Sequence, residues 1–192
     1  MKVQNFLPIG IISTFCLLGS ISLSEQTRKK MTPAEIIANL KPGQWIEIDG
    51  AIQKDQPVLA VEIEFRTGDF MDDDWKLLAK VQIVTPEKNE FQVLSMPVQI
   101  TKDTDFNEGF KGLGDIKPGM LVKLEGTYLK DGIFLAREVN DKARKLKAEP
   151  EFDKMIEILG KVGQIDEVKQ MVTIMGIQFQ ITNETKAKSL IK

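Results

Sequence analysis

Apolar residues along this chain recur at every second position, in short runs broken by turn residues. Residues 44–52, QWIEIDGAI, set Ile46 and Ile48 on one face and Glu47 and Asp49 on the other, the period of a half-buried strand. A turn at 54–57 leads to a second strand, VLAVEIEF, at 58–65. Three more are predicted at 77–85 (LLAKVQIVT), 90–95 (EFQVLS) and 96–101 (MPVQIT), with turns marked by residues 86–89 and by Pro97. In the last of these Met96, Val98 and Ile100 oppose Gln99 and Thr101. A Gly-rich excursion at 103–116 precedes two further strands within 117–140, joined at Asp131-Gly132, a dipeptide suited to a tight hairpin. The one firm helix signal is TPAEIIANL at 32–40, with Thr32 as N-cap, Pro33 at the first helical position and Glu35 three residues after the cap. Residues 67–75 read as a polar connector. From 141 to 154 the chain turns charged and helix-prone, a linker whose Lys142, Arg144, Lys145 and Lys147 are expected to be solvated.

The strands repeat. KPGQWIEIDGAIQKDQPVLAVEIE at 41–64 and KPGMLVKLEGTYLKDGIFLAREVN at 117–140 share nine identities in 24 positions at a shift of 76. At a shift of 81, Lys80-Val81 falls on Lys161-Val162, Gln99-Ile100-Thr101 on Gln180-Ile181-Thr182, and Thr104 on Thr185. The chain therefore alternates two half-units, a KPG half and a three-strand half, and reads as a duplicated small β structure. The middle pair, 77–140, is a complete five-strand unit. The chain begins with a lone KPG half (25–66) and ends with a lone three-strand half (155–192). Half a barrel leaves open edges and an uncovered apolar face, so these halves must pair with each other or with a partner. Five short antiparallel strands broken between the third and fourth suit an OB-type barrel. The expected fold is thus all-β: two OB-like five-stranded barrels, one contiguous and one closed by the chain-end halves, with a short helix near the N-terminus.

Gly160, Val162, Gly176, Ile177, Phe179, Thr182 and Thr185, then Gly119, Val122, Gly126, Ala136 and Val139, form a pattern that resembles an uncharacterised bacterial family of small, exported, often tandem OB-like domains. The resemblance covers nearly all of residues 32–185 and implies a fold and an exported setting. That family has no known activity, so it implies no functional residues.

Composition narrows the chemistry. With 26 basic and 28 acidic residues there is no excess positive field for gripping nucleic acid. There is no His, which removes His-dependent nucleophiles and the commonest zinc ligand, and Cys16 is the only Cys, so a mature chain without the N-terminal segment would also lack thiol catalysis and Cys-rich metal sites. Residues 1–24 have Lys2, an apolar run from about residue 6 to 19 and small residues ending at Ser22 and Ser24, the layout of a signal peptide cleaved after Ser24. An uncleaved anchor is the rival, and Arg28, Lys29 and Lys30 beyond the apolar run weigh against translocation of that side. Phe15, before Cys16, is a poor match for lipoprotein processing, leaving Cys16 as a residue of the apolar core. The location expected is periplasmic or extracellular.

Few residues suggest a site. Asp69, Asp72, Asp73 and Asp74 cluster in the connector, as hard-cation ligands do, but lack the Gly and distal Glu of an EF-hand loop and read as a solvated acidic loop. Trp45, on the parity of Glu47 and Asp49, and Tyr128, near the hairpin, could stack a ligand; Trp45 is better read as packing under the helix or against the other barrel. No catalytic, cofactor-binding or metal residue is assigned, and no cofactor is expected. The function expected is a non-enzymatic binding or adaptor module for an unknown envelope protein or glycan. Alternatives are a structural protein whose halves pair between molecules and, least favoured, a carboxylate-metal enzyme.

Overall fold

The computed structural model describes residues 30–54 and 56–188. The leader, Cys16, Arg28, Lys29, Asp55 and the last four residues lie outside them. Among the described residues there are two short helices and twelve strands, the strands all joined in one sheet.

Helix α1 (Pro33–Asn39) starts as its sequence requires: Thr32 N–H donates to Glu35 Oε2 at 2.7 Å and Glu35 N–H to Thr32 Oγ1 at 3.2 Å, a full capping box. Strands β1 (Trp45–Ala51) and β2 (Val58–Phe65) follow, then β3 (Trp75–Thr85), β4 (Glu90–Val93), β5 (Met96–Gln99) and β6 (Asp105–Asn107). After β7 (Leu121–Tyr128) and β8 (Phe134–Asp141) come α2 (Ala143–Ala148) and a 3₁₀ turn at Pro150–Asp153. The chain finishes with β9 (Met155–Asp166), β10 (Met171–Ile174), β11 (Ile177–Gln180) and β12 (Lys186–Lys188).

Pairing follows the repeat. In the middle of the chain β3 pairs β4, β4 pairs β5, β5 pairs β8 in parallel, β8 pairs β7, and β7 returns to β3. The chain ends make the same circuit: β9 pairs β10, β10 pairs β11, β11 pairs β2 in parallel, β2 pairs β1, and β1 returns to β9 in an unbroken register from Trp45↔Lys161 to Ala51↔Met155. The two circuits join where β3 meets β9, through Lys76↔Leu159, Leu77↔Ile158 and Leu78↔Glu157. Leu77 and Ile158 are equivalent in the repeat, so this junction has local two-fold character. It is also why there is one sheet rather than two separate ones.

The repeated motifs perform the joining. Pro42-Gly43 and Pro118-Gly119 make turns in which glycine takes a left-handed φ of 80° and 88° with open space at its Cβ position; the backbone conformation, not crowding, demands Gly. Each turn then bonds the opposite half: Gly43 N–H to Val162 O at 2.7 Å, and Gly119 N–H to Val81 O at 2.8 Å. The T-x-x-T segments form a second fastening. Thr104 Oγ1 accepts from Thr101 N–H at 3.0 Å and donates to Ala136 O at 2.7 Å, while Thr185 Oγ1 accepts from Thr182 N–H at 2.9 Å and donates to Ala60 O at 2.8 Å. Both threonines are buried. Beyond each lies a short strand missing from the sequence prediction, β6 on β8 and β12 on β2, both parallel.

One core runs through both circuits, with Ile46, Ile48, Ile63, Leu77, Phe91, Leu124, Phe134, Ile158 and Phe179 fully buried. Three expectations need correction. Pro97 lies within β5, opposite Gln92; the turn before it is Leu94-Ser95, which adopts φ of 51° and 63° without a glycine. Strand β3 begins at Trp75, two residues early, because β7 pairs it from Gly126 onward. The 141–154 segment is docked rather than free: Leu146 and Phe152 cover Leu78 and Leu121, Lys142 pairs Glu108 at 2.7 Å, and Lys145 pairs Glu157 at 2.7 Å while lying 3.9 Å from the Phe152 ring centroid. Of Lys142, Arg144, Lys145 and Lys147, only Arg144 and Lys147 stay exposed. Among the described residues no helix is long and apolar enough to cross a membrane.

Candidate functional site

The two residues singled out as ligand-stacking candidates, Trp45 and Tyr128, are drawn together, each against Trp75. Trp45 stacks on Phe70 with centroids 5.0 Å apart and meets Trp75 at 5.1 Å; Trp75 meets Tyr128 at 5.6 Å. Strand parity does put Trp45 on the outer side of β1, yet the 67–74 connector folds over that side, and Trp45 is buried. Gly160 makes room for this row: a Cβ there would lie 2.7 Å from the Trp75 ring. Burial raises the Tyr128 phenol above its ordinary value, with Asp131 adding to it.

The connector aspartates diverge. Asp72 pairs Lys161 at 2.6 Å, Asp73 approaches Arg137 at 3.8 Å, and Asp74 accepts from Met71 N–H at 2.8 Å, while Asp69 is exposed. The Lys161 hydrogen bond holds the Asp72 carboxyl below the usual range. Among the described residues no three carboxylates are grouped as a metal ion requires. The connector thus fastens one circuit to the other, since Asp72 reaches β9 and Asp73 reaches β8.

Two surfaces remain that the sequence did not disclose. The first is a groove of about 970 Å³ between α1 and the end of β9, walled by Ile37, Leu40 and Pro42 on one side and by Gln164, Asp166, Met171, Thr173 and Gln178 on the other. It exists because β9 is long. Its pairing with β1 ends at Lys161, while β10 follows it to Asp166. The remaining edge of β9, beyond Val162, meets no strand among the described residues. The sequence signal was the length of the apolar run from 155 onward, which exceeds the strand it pairs with.

The second is a row of charges across the chain-end circuit. Glu62 on β2 lies directly opposite Asp49 on β1, and Asp49 directly opposite Glu157 on β9; like charges so placed repel. The cations nearby serve the neighbours. Arg66 pairs Glu47 and Glu64, Lys188 pairs Glu62, and Lys145 pairs Glu157. Burial, then the charges of Glu157, Glu47 and Glu62, push Asp49 from 3.8 up to about 6, with Lys145 opposing. The equivalent row in the other circuit is Glu138, Glu125 and Lys76. There burial pushes Glu125 up as well, but Lys123 at 2.8 Å and Lys76 at 3.3 Å outweigh it and hold the carboxyl below its ordinary range. One position in two copies of one fold thus titrates in opposite directions, because Glu157 stands where the twin has Lys76 and Glu47 where it has Lys123.

Fold and surfaces together define a duplicated, mostly β protein whose repeated sequence motifs fasten its halves to one another. The chain belongs to a family described as a domain of unknown function, DUF5666, whose model matches residues 12–64 and 80–140, more than half of the chain. Both matched segments stop at equivalent points of the repeat, at the ends of the two KPG halves; the C-terminal three-strand half lies outside them. No curated protein and no solved structure matches the chain.

Proposed function

We propose that this protein is a non-enzymatic binding or adaptor module, exported to the periplasm or exterior of a bacterial cell and built from two OB-like barrels. The strand order of each circuit, with its single parallel contact between the third and fifth strands of the unit, supports the barrel reading. The leader-like residues 1–24 support export. The absence of His, with the only Cys inside that leader, supports a non-catalytic role.

The observation that carries the binding assignment is the open edge of β9 beside α1. An unpaired strand edge accepts an extended peptide as an added strand, and here Ala38, Pro42 and Met171 offer apolar contact while Gln164, Thr173 and Gln178 offer hydrogen bonds. A glycan is less well served, since both Trp and the only Tyr are occupied by one another. The assignment is tested by immobilising residues 25–192 against envelope extract, beside a variant with Ala38→Arg and Gln164→Arg, on the α1 and β9 walls of the groove. The reading expects an envelope protein retained by the parent and lost, at least tenfold, by the variant with unchanged circular dichroism. Equal retention by both, or none by either, refutes it.

The full register of β1 on β9 within one chain supports intramolecular closure over a swapped assembly. Closure predicts a monomer by light scattering at every concentration. Mass rising with concentration favours the structural reading instead.

A further inference from the structure

The β1–β9 ladder is where the first and last parts of the described chain meet, and across it runs the acidic row Glu62, Asp49, Glu157, in which Glu62 and Glu157 each pair with a lysine and Asp49 does not. We propose that this seam is a proton-operated closure of the two chain ends, tight while Asp49 holds a proton and loosened when the whole row is charged.

Every element packed around Asp49 contributes to this. Glu47 shares β1; Glu62 and Glu64 stand on β2, with Arg66 just beyond; Glu157 stands on β9, Lys145 on α2 and Lys188 on β12. Among the described residues none of the three cations pairs with Asp49, and each is already paired to a neighbouring carboxylate. A charged Asp49 therefore adds repulsion both ways across the ladder, toward β2 and toward β9. The twin seam between β7 and β3 lacks the defect, because Lys76 and Lys123 flank Glu125. That twin lies within one continuous stretch of chain, whereas the chain-end seam closes a loop of more than a hundred residues and has the larger entropy to recover on opening.

The direction follows from linkage. The folded chain holds the Asp49 proton up to about pH 6, the unfolded chain only to 3.8. Stability from this group is therefore complete below 3.8 and lost as pH rises through about 6. The difference between 3.8 and about 6 corresponds to about a hundredfold; partial exposure of Asp49 to solvent reduces the expected effect to about tenfold.

The test is amide hydrogen exchange on the full chain at pH 5 and 7.5, expressed as protection factors to remove the intrinsic pH dependence. Amides of β1 and β9 are expected to be about tenfold less protected at the higher pH, while those of β7 hold steady as an internal reference. Asp49→Asn, of nearly the same shape, should keep the seam closed at both pH values, and Glu157→Gln, which removes one repelling charge but not the burial, should reduce the difference. The closure is overturned if seam protection is the same at both pH values, if β7 loosens in step with β1, or if the pH difference persists in both variants.

Discussion

Gly126→Ala is expected to cost about 3 kcal/mol, more than typical single substitutions. Gly126 lies at the bulge where β7 slips register against β8, between Glu125 and Gly126. An added Cβ would enter the van der Waals shell of Leu135 O and sit 2.9 Å from Arg137 N. These are main-chain atoms of the paired strand, so no rotamer change relieves the clash and the ladder itself must move. Gly50, its twin, would meet Val58 Cγ1 and the Phe179 ring at 2.8 Å. Those are side chains, and Gly50→Ala is expected to cost about half as much. Urea unfolding of the three proteins gives the comparison. A Gly126→Ala midpoint at the parent value would mean that β7 and β8 do not approach this closely.

Thr185→Val is the second large effect, about 2–3 kcal/mol. Thr185 is fully buried, and its hydroxyl both accepts from Thr182 N–H and donates to Ala60 O. Valine fills nearly the same volume but leaves both backbone groups without that partner, and a buried unsatisfied polar group costs about 1–3 kcal/mol. Thr185→Ser keeps both bonds and loses one methyl, so it should cost about 1 kcal/mol. Because Ala60 belongs to the N-terminal half, Thr185→Val should also lower hydrogen-exchange protection in β2 and β12 before β8, while Thr104→Val, acting through Ala136, should reverse that order. If Thr185→Val and Thr185→Ser unfold at the same midpoint, the hydroxyl does not fasten the halves.

Much of this was readable from the chain. The capping box at Thr32 and Glu35, the alternation of Ile46 and Ile48 with Glu47 and Asp49, and the KPG turns are local signals, and local sterics and hydrogen bonds suffice to interpret them. Repetition carried the reading further: Thr104 and Thr185 were visible as aligned residues before their bonds were known. The turn at Leu94-Ser95 was hidden because neither residue advertises a left-handed conformation, although its copy, Met175-Gly176, does. Pro97 drew attention instead, and it fits a strand because proline costs a strand only its own N–H.

The candidate site was less legible, since it depends on which strands become neighbours. Trp45 has the parity of an exposed residue and is buried by a connector whose path no periodicity encodes. The carboxylates of Glu62, Asp49 and Glu157 are 13 and 108 positions from one another along the chain, and only the register of β2, β1 and β9 brings them into one row. The sequence by itself determined the strands, their duplication and the need for the chain-end halves to be completed, because alternation and turn chemistry act over a few residues. Tertiary structure alone decided that β3 meets β9, that β9 outruns β1 to leave an open edge, and that Asp49 faces Glu157 where its twin faces Lys76. Those outcomes depend on pairing between distant segments, where a charge or an edge acquires its meaning only from what lies across from it.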